Sequence, residues 1–244
     1  NSYRFFFAGN PNDSSALYYT EYNQPNFSKA TSVLYPTEAE GPIVGLTEMI
    51  GYLVVSYKNG DWVYTGIDPA EDAQWKKIPT RHGAHNKNVI TLTNNSLTTY
   101  ADNGIYVKNP SILGQDDNMV PGEKFIVNIA KDRVENILKT VTDPDEAVSI
   151  YDPDDDYYYL AFCDDDSGEN NKILVYNWKL NGFTLWTGLK IRDFCYYDSG
   201  TLLGAQGTDI VQINDGDYGG TYTLKTKKYF LEAPFHNKEI NTIY

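Results

Sequence analysis

Ala147 to Gly188 reads AVSIYDPDDDYYYLAFCDDDSGENNKILVYNWKLNGFTLWTG, and its punctuation decides the fold class. Four runs rich in aromatic and β-branched residues, Val148 to Tyr151, Tyr157 to Cys163, Ile173 to Trp178 and Phe183 to Thr187, predict strands. Asp152-Pro153, Asp166-Ser167-Gly168 and Asn181-Gly182 supply turn chemistry between them, so the strands meander in one antiparallel sheet. Such a sheet has two open edges and two faces that need cover, and repetition of the unit around an axis solves both problems.

Working outward, the same unit recurs. Strands are expected near Ile43 to Glu48, Tyr52 to Tyr57, Asp61 to Thr65 and Gln74 to Ile78, with Asn59-Gly60 as a tight turn. Val89 to Thr93, Ser96 to Tyr100 and Gly104 to Lys108 make a third unit. Asp193 to Tyr197, Thr201 to Gln206 and Asp209 to Ile213 make another. Tyr3 to Phe7 and Ala16 to Thr20 read as half a unit, and Asn23 to Pro42, with three prolines, reads as a surface connection. Thr221 to Leu231 and Lys238 to Tyr244 are expected to share a sheet with the N-terminal strands, which would hide two edges. One helix is expected near 122–141, where Phe125, Ile129, Val134, Ile137, Leu138 and Val141 give a partial apolar face that Asp143-Pro144 ends. The fold class is therefore all-β: a β-propeller of four-stranded antiparallel blades, five in number with six as the alternative.

The 244 residues, 41% of them hydrophobic, suit a single domain over 1–244 with a sizeable core. The chain opens at Asn1 without a methionine and goes straight into a strand, which reads as a fragment of a longer protein. No run of about 18 apolar residues predicts a membrane span, and Asn1 to Asn10 lacks the order of a signal peptide. The net charge of −13, from 33 acidic against 20 basic residues, argues against specific nucleic-acid binding, which needs a basic footprint. Two cysteines, Cys163 and Cys195, are too few for a disulfide framework and read as buried thiols in a reducing compartment. The 21 tyrosines read as inter-sheet packing with their hydroxyls at a wet rim, or as a sugar-binding platform.

Candidate chemistry is thin. Three acidic loops invite a calcium reading: Asp152 with Asp154 to Asp156, Asp164 to Asp166 with Glu169, and Asn214 to Asp217. None has the alternate-position ligand series of a calcium loop, so solvated hairpin tips are expected. His82 and His85 have metal-pair spacing, but Gly83 and Pro79 argue for a loop, and His236 stands alone. Paired carboxylates can be drawn anywhere in so acidic a chain, and there is no nucleophile elbow, phosphate loop or dinucleotide fingerprint. No catalytic, cofactor-binding or metal residues and no cofactor are expected.

Several stretches together resemble the β-propeller domain of phage and prophage tail proteins, similar in architecture to the tail nozzle of short-tailed phages. They are Phe6-Phe7-Ala8-Gly9-Asn10-Pro11, Leu17 to Glu21 with Asn26-Phe27, Ile43-Val44-Gly45-Leu46, Leu53-Val54-Val55, Asn103-Gly104-Ile105-Tyr106, and Asn171 to Tyr176 followed by Phe183 to Trp186. The resemblance implies a non-catalytic structural component of the virion tail (nozzle, hub, tube or baseplate), made in the host cytoplasm. Its implied partners are other tail proteins and copies of itself in a symmetric ring; the isolated domain is expected to be monomeric. The alternative from another class is a carbohydrate-binding or glycan-processing propeller, which would gather carboxylates and aromatics in one concave pocket.

Overall fold

The computed structural model describes residues 4–24, 31–36, 41–66, 68–102, 104–109, 126–197 and 200–213. Contacts divide the chain into Asn1–Asn214 and Asp215–Tyr244, and all structure described here belongs to the first unit. The expected strands at 221–231 and 238–244, and their pairing with the N-terminal strands, lie outside the described residues.

Among the described residues, five antiparallel meanders follow one another along the chain. The first holds β1 (Phe6–Phe7), β2 (Leu17–Tyr19) and β3 (Val33–Leu34). The second holds β4 (Gly45–Met49), β5 (Tyr52–Tyr57), β6 (Gly60–Tyr64) and β7 (Trp75–Lys77). In the third are β8 (Ile90–Thr93), β9 (Ser96–Ala101), β10 (Gly104–Lys108) and β11 (Ile126–Asn128). The fourth consists of β12 (Val148–Asp152), β13 (Tyr157–Phe162), β14 (Lys172–Asn177) and β15 (Gly182–Thr187). The fifth has β16 (Asp193–Tyr196), β17 (Leu202–Gln206) and β18 (Asp209–Gln212).

Two expectations need correction. Val33–Leu34, inside the supposed surface connection, pairs with β2 and completes the first sheet. Of the helix expected near 122–141, only α1 (Glu135–Leu138) is formed among the described residues, and Ile126–Asn128 is instead a strand antiparallel to β10. The cause is local. Asn128 Oδ1 accepts from the Ala130 N–H at 3.0 Å, and Asp132 sits at φ +60°, so a side-chain turn and a left-handed residue replace the first helical turns. The apolar residues that mimic a helix face, Ile129, Val134 and Leu138, are still buried together. No helix among the described residues is long and apolar enough to cross a membrane.

The first strands of successive sheets lie side by side: β4 touches β8, β8 touches β12, and β12 touches β16. Gly45 permits the approach of β4 to β8, since a Cβ there would fall 2.6 Å from Ile90 Cδ1. Both faces of a central strand are consequently covered. In β13, Tyr158, Leu160 and Phe162 enter a cluster with Tyr100 and Ile105 of the third sheet, while Tyr159 and Ala161 enter one with Ile191 and Leu202 beside the fifth. This is the period of two with both faces buried, and each Leu or Phe so buried contributes about 1.5–3 kcal/mol.

The junction between the second and third sheets has a different centre. Met49, Val54, Val63, Ile78 and Leu97 pack there, but so does an ion pair. Lys108 Nζ of β10 donates to Asp61 Oδ2 of β6 at 2.5 Å, to Thr99 Oγ1 at 2.9 Å and to Gly83 O at 3.3 Å. Both side chains are fully buried, and desolvation pulls the Lys108 ammonium below its usual range while Asp61 opposes that shift. Gly83 is required here, since a Cβ would meet Tyr57 O at 1.6 Å.

Candidate functional site

The richest polar cluster grows from the β12–β13 turn. Asp152, the last residue of β12, is fully buried. Its Oδ1 accepts from the N–H of Asp154 at 3.0 Å and of Asp155 at 3.4 Å, a side-chain mimic of a backbone turn. Asp156 then takes φ +61°, which turns the chain back into β13. Asp152 and Asp156, the first and last residues of the acidic run, therefore hold the loop rather than decorate it.

This turn is linked to its neighbours on both sides. Tyr151 OH lies 2.7 Å from both Asp156 Oδ1 and Asn94 Oδ1, and Asn94 Nδ2 donates to Asp156 Oδ1 at 3.0 Å. Asn94 and Asn95 form the β8–β9 turn at φ +47° and +65°, the primed geometry that suits a two-residue hairpin. On the other side Tyr196 OH donates to Asp154 Oδ2 at 2.6 Å and lies 3.2 Å from Asp152 Oδ1. The hydroxyl also receives the Gly200 N–H at 3.3 Å. Burial first, then the Asp156 hydrogen bond, pushes the Tyr151 phenol up; for Tyr196 the Asp154 hydrogen bond comes first. Both therefore stay neutral donors. Asp152 Oδ2 is the one carboxylate oxygen of the turn that is buried without a partner among the described residues.

The opposite ends of the first strands carry other links. Asn86 Nδ2 donates to the carbonyls of Pro144 at 3.2 Å and Ala147 at 2.9 Å, just before β12. Asn170 Nδ2 donates to Glu146 O and Ile191 O, both at 2.9 Å, and so ties the approach to β12 to the approach to β16. Lys190 and Arg192 converge on Glu169 at 2.8 and 2.9 Å, and Lys58 pairs with Asp145 at 3.2 Å. A cleft of about 210 Å³ is lined here by Glu146, Gly168, Glu169, Asn170 and Arg192, with no aromatic side chain among them.

The remaining sequence candidates separate. Asp165 caps its own loop: Oδ1 accepts from Ser167 N at 2.9 Å and Oδ2 from Asn171 Nδ2 at 2.6 Å, and these bonds, Ser167 foremost, lower its pKa to about 2. Asp164 pairs with Lys172. His82 and His85 both turn toward Asp102. His82 Nδ1 lies 2.7 Å from Asp102 Oδ2 with its ring stacked on Tyr106 at 4.0 Å, while His85 Nε2 lies 3.2 Å from Asp102 O. No group of three or more His, Cys, Asp or Glu among the described residues could hold a metal ion. Cys163 is buried as expected, but Cys195 is exposed, because β16 turns it away from the fifth-sheet cluster that holds Phe194 and Tyr196. Asn214 to Asp217 and His236 lie outside the described residues.

Sequence reasoning missed two constellations. One is Lys108 with Asp61. The other is Arg4, which makes a two-toothed contact to Asp68 at 2.9 and 3.1 Å, donates to Thr20 O at 2.7 Å and stacks 3.8 Å from the Tyr22 ring centre. Their partners are 47 and 64 residues apart, beyond any local pattern.

No protein-family model matches the chain, and no curated protein matches it. Among solved structures it is similar to the extracellular domain of a hybrid two-component system from B. thetaiotaomicron, at 14% identity and TM-score 0.47, over 85% of this chain and 26% of that one. It is also similar to apo AztD from Citrobacter koseri, at 15% identity and TM-score 0.43, over 87% of this chain and 57% of that one. The chain thus spans about a quarter and somewhat over half of the two lengths. At these scores the likenesses carry no further argument.

Proposed function

We propose that this chain is a five-bladed β-propeller domain serving as a non-catalytic structural element of a phage or prophage tail. The observation that carries the architectural half is the side-by-side succession of β4, β8, β12 and β16, each opening its own antiparallel meander. That is the arrangement in which first strands surround an axis. The functional half rests on the resemblance of the motifs from Phe6 to Trp186 to tail propellers. The turn cluster supports it, because its hydroxyls and carboxylates are hydrogen-bonded mainly to one another and act as fastenings between sheets.

In this reading the domain meets other tail proteins and copies of itself in a ring, in the virion tail. The test is to purify particles from the producing host, separate tails from heads, and look for the protein by mass spectrometry. It is expected in the tail fraction at the stoichiometry of a symmetric ring; its absence from purified particles sinks the proposal. A glycan-binding reading draws on the same tyrosines and carboxylates. It predicts specific signals on a glycan array that vanish in Tyr151→Phe and Asp156→Asn, whereas the structural reading predicts none.

A further inference from the structure

The outer strands of the sheets differ in how they end. β7 has three residues, two of them Lys76 and Lys77; β11 has three; β18 has four and begins with the exposed Asp209. Short length and charge are how natural sheets blunt an edge. β15 has neither. It runs six residues, GFTLWT, pairs along its whole length with β14, and contains no charge, proline or bulge. No strand pairs with its outer side among the described residues. Alternate residues of such an edge turn N–H and C=O outward.

The side chains of β15 are also arranged for a neighbour. Phe183 is half-buried against Tyr176, ring centres 4.7 Å apart, and belongs with the cluster shared by the third and fourth sheets. Trp186 is half-buried against Tyr159 at 5.8 Å and belongs with the cluster toward the fifth. Three residues apart on a strand, they lie on opposite faces. An added strand would extend both clusters at once.

We infer that the outer edge of β15 accepts an extended, largely uncharged strand from a partner protein, with apolar side chains three residues apart to flank Phe183 and Trp186. Main-chain hydrogen bonds supply the attachment, and the two aromatics set register. A second copy of this chain is the poorer occupant. Edge-to-edge antiparallel self-pairing sets residues of one face opposite each other, so Phe183 and Trp186, which lie on opposite faces, cannot meet across the pair. The two copies carry −13 each, and six residues a side is small beside the roughly 20–30 of a stable interface. The inference does not depend on the tail assignment.

The test uses the 244-residue chain and a capped peptide copying residues 171–178, which include the strand that already sets Ile173 beside Trp186 and Tyr176 beside Phe183. Amide hydrogen exchange is followed across 182–187. With millimolar peptide, alternate amides there should slow by roughly tenfold, and the effect should disappear in Leu185→Lys. Thr184→Lys, also at an exposed position, replaces it should that variant not fold. Three results overturn the inference: no slowing with peptide, slowing that survives the lysine in a folded variant, or slowing centred on another edge. Protection that grows with protein concentration and without peptide overturns it too, by making the occupant a second copy.

Discussion

The junction of the second and third sheets and the junction of the third and fourth perform the same task, but among the described residues only the first adds a buried ion pair to its apolar cluster. One has a buried Lys108–Asp61 pair with a glycine pressed against Tyr57 O. The other has an apolar cluster of Tyr100, Ile105, Tyr158, Leu160 and Phe162, with hydrogen bonds at its ends. The contrast teaches that a seam between stacked sheets can hold a buried ion pair beside its apolar residues, and that the two seams should fail differently. A buried ion pair is a poor stabiliser compared with apolar residues of its size, yet costly to break from one side. An apolar seam loses stability in proportion to the volume removed.

The sharpest way to break the comparison is Lys108→Met alone, which strands the Asp61 carboxylate. A loss of about 3–5 kcal/mol in urea unfolding is expected, while Lys108→Met with Asp61→Leu should return to wild-type stability or exceed it. A double variant as weak as the single one would show that the pair itself stabilises the seam. At the apolar junction, Leu160→Ala should cost about 2–5 kcal/mol with no comparable rescue by a second substitution. Thr91 Oγ1 and Ser149 Oγ, 2.6 Å apart between β8 and β12, are both half-buried, so Thr91→Val with Ser149→Ala should change stability by less than about 1 kcal/mol. Last comes Asp165, remote from both seams. Its pKa, lowered to about 2 from an ordinary 3.8, means that its contribution is whole above about pH 4 and lost as pH falls through 2. A carboxyl titration by NMR should show this loop titrating with either junction still intact; a midpoint near 4 would remove the role given to Ser167.

The fourth sheet was legible almost to the residue because every cue agreed: alternating apolar runs, Asn-Gly at 181–182, and acidic turns. Leu160 and Tyr159 announce two buried faces by themselves. The stretch 126–138 misled because Ile129, Val134 and Leu138 are spaced for a helix face and are buried, while Asn128 and Asp132 impose turns that apolar periodicity cannot register. Val33–Leu34 is two residues long, too short to have a period. Lys108 was invisible for another reason: a lysine in a strand reads as solvent-facing, and only a partner 47 residues away makes its burial tolerable. Of the turn cluster, the acidic residues were seen and their use was not, since the contacts of Asp156 with Asn94 and of Asp154 with Tyr196 cross from sheet to sheet.

Those crossings give β12 a mechanical character. At its start, Asn86 and Asn170 grip the carbonyls of Pro144, Glu146 and Ala147; at its end, Asn94 and Tyr196 grip Asp156, Asp152 and Asp154. A strand fastened at one end peels, its bonds yielding in sequence under a small force. A strand fastened at both ends is loaded in shear, and its fastenings share the pull until they give way together. The fourth sheet should therefore be stiff and brittle under tension, holding its place up to a threshold and then releasing in one step.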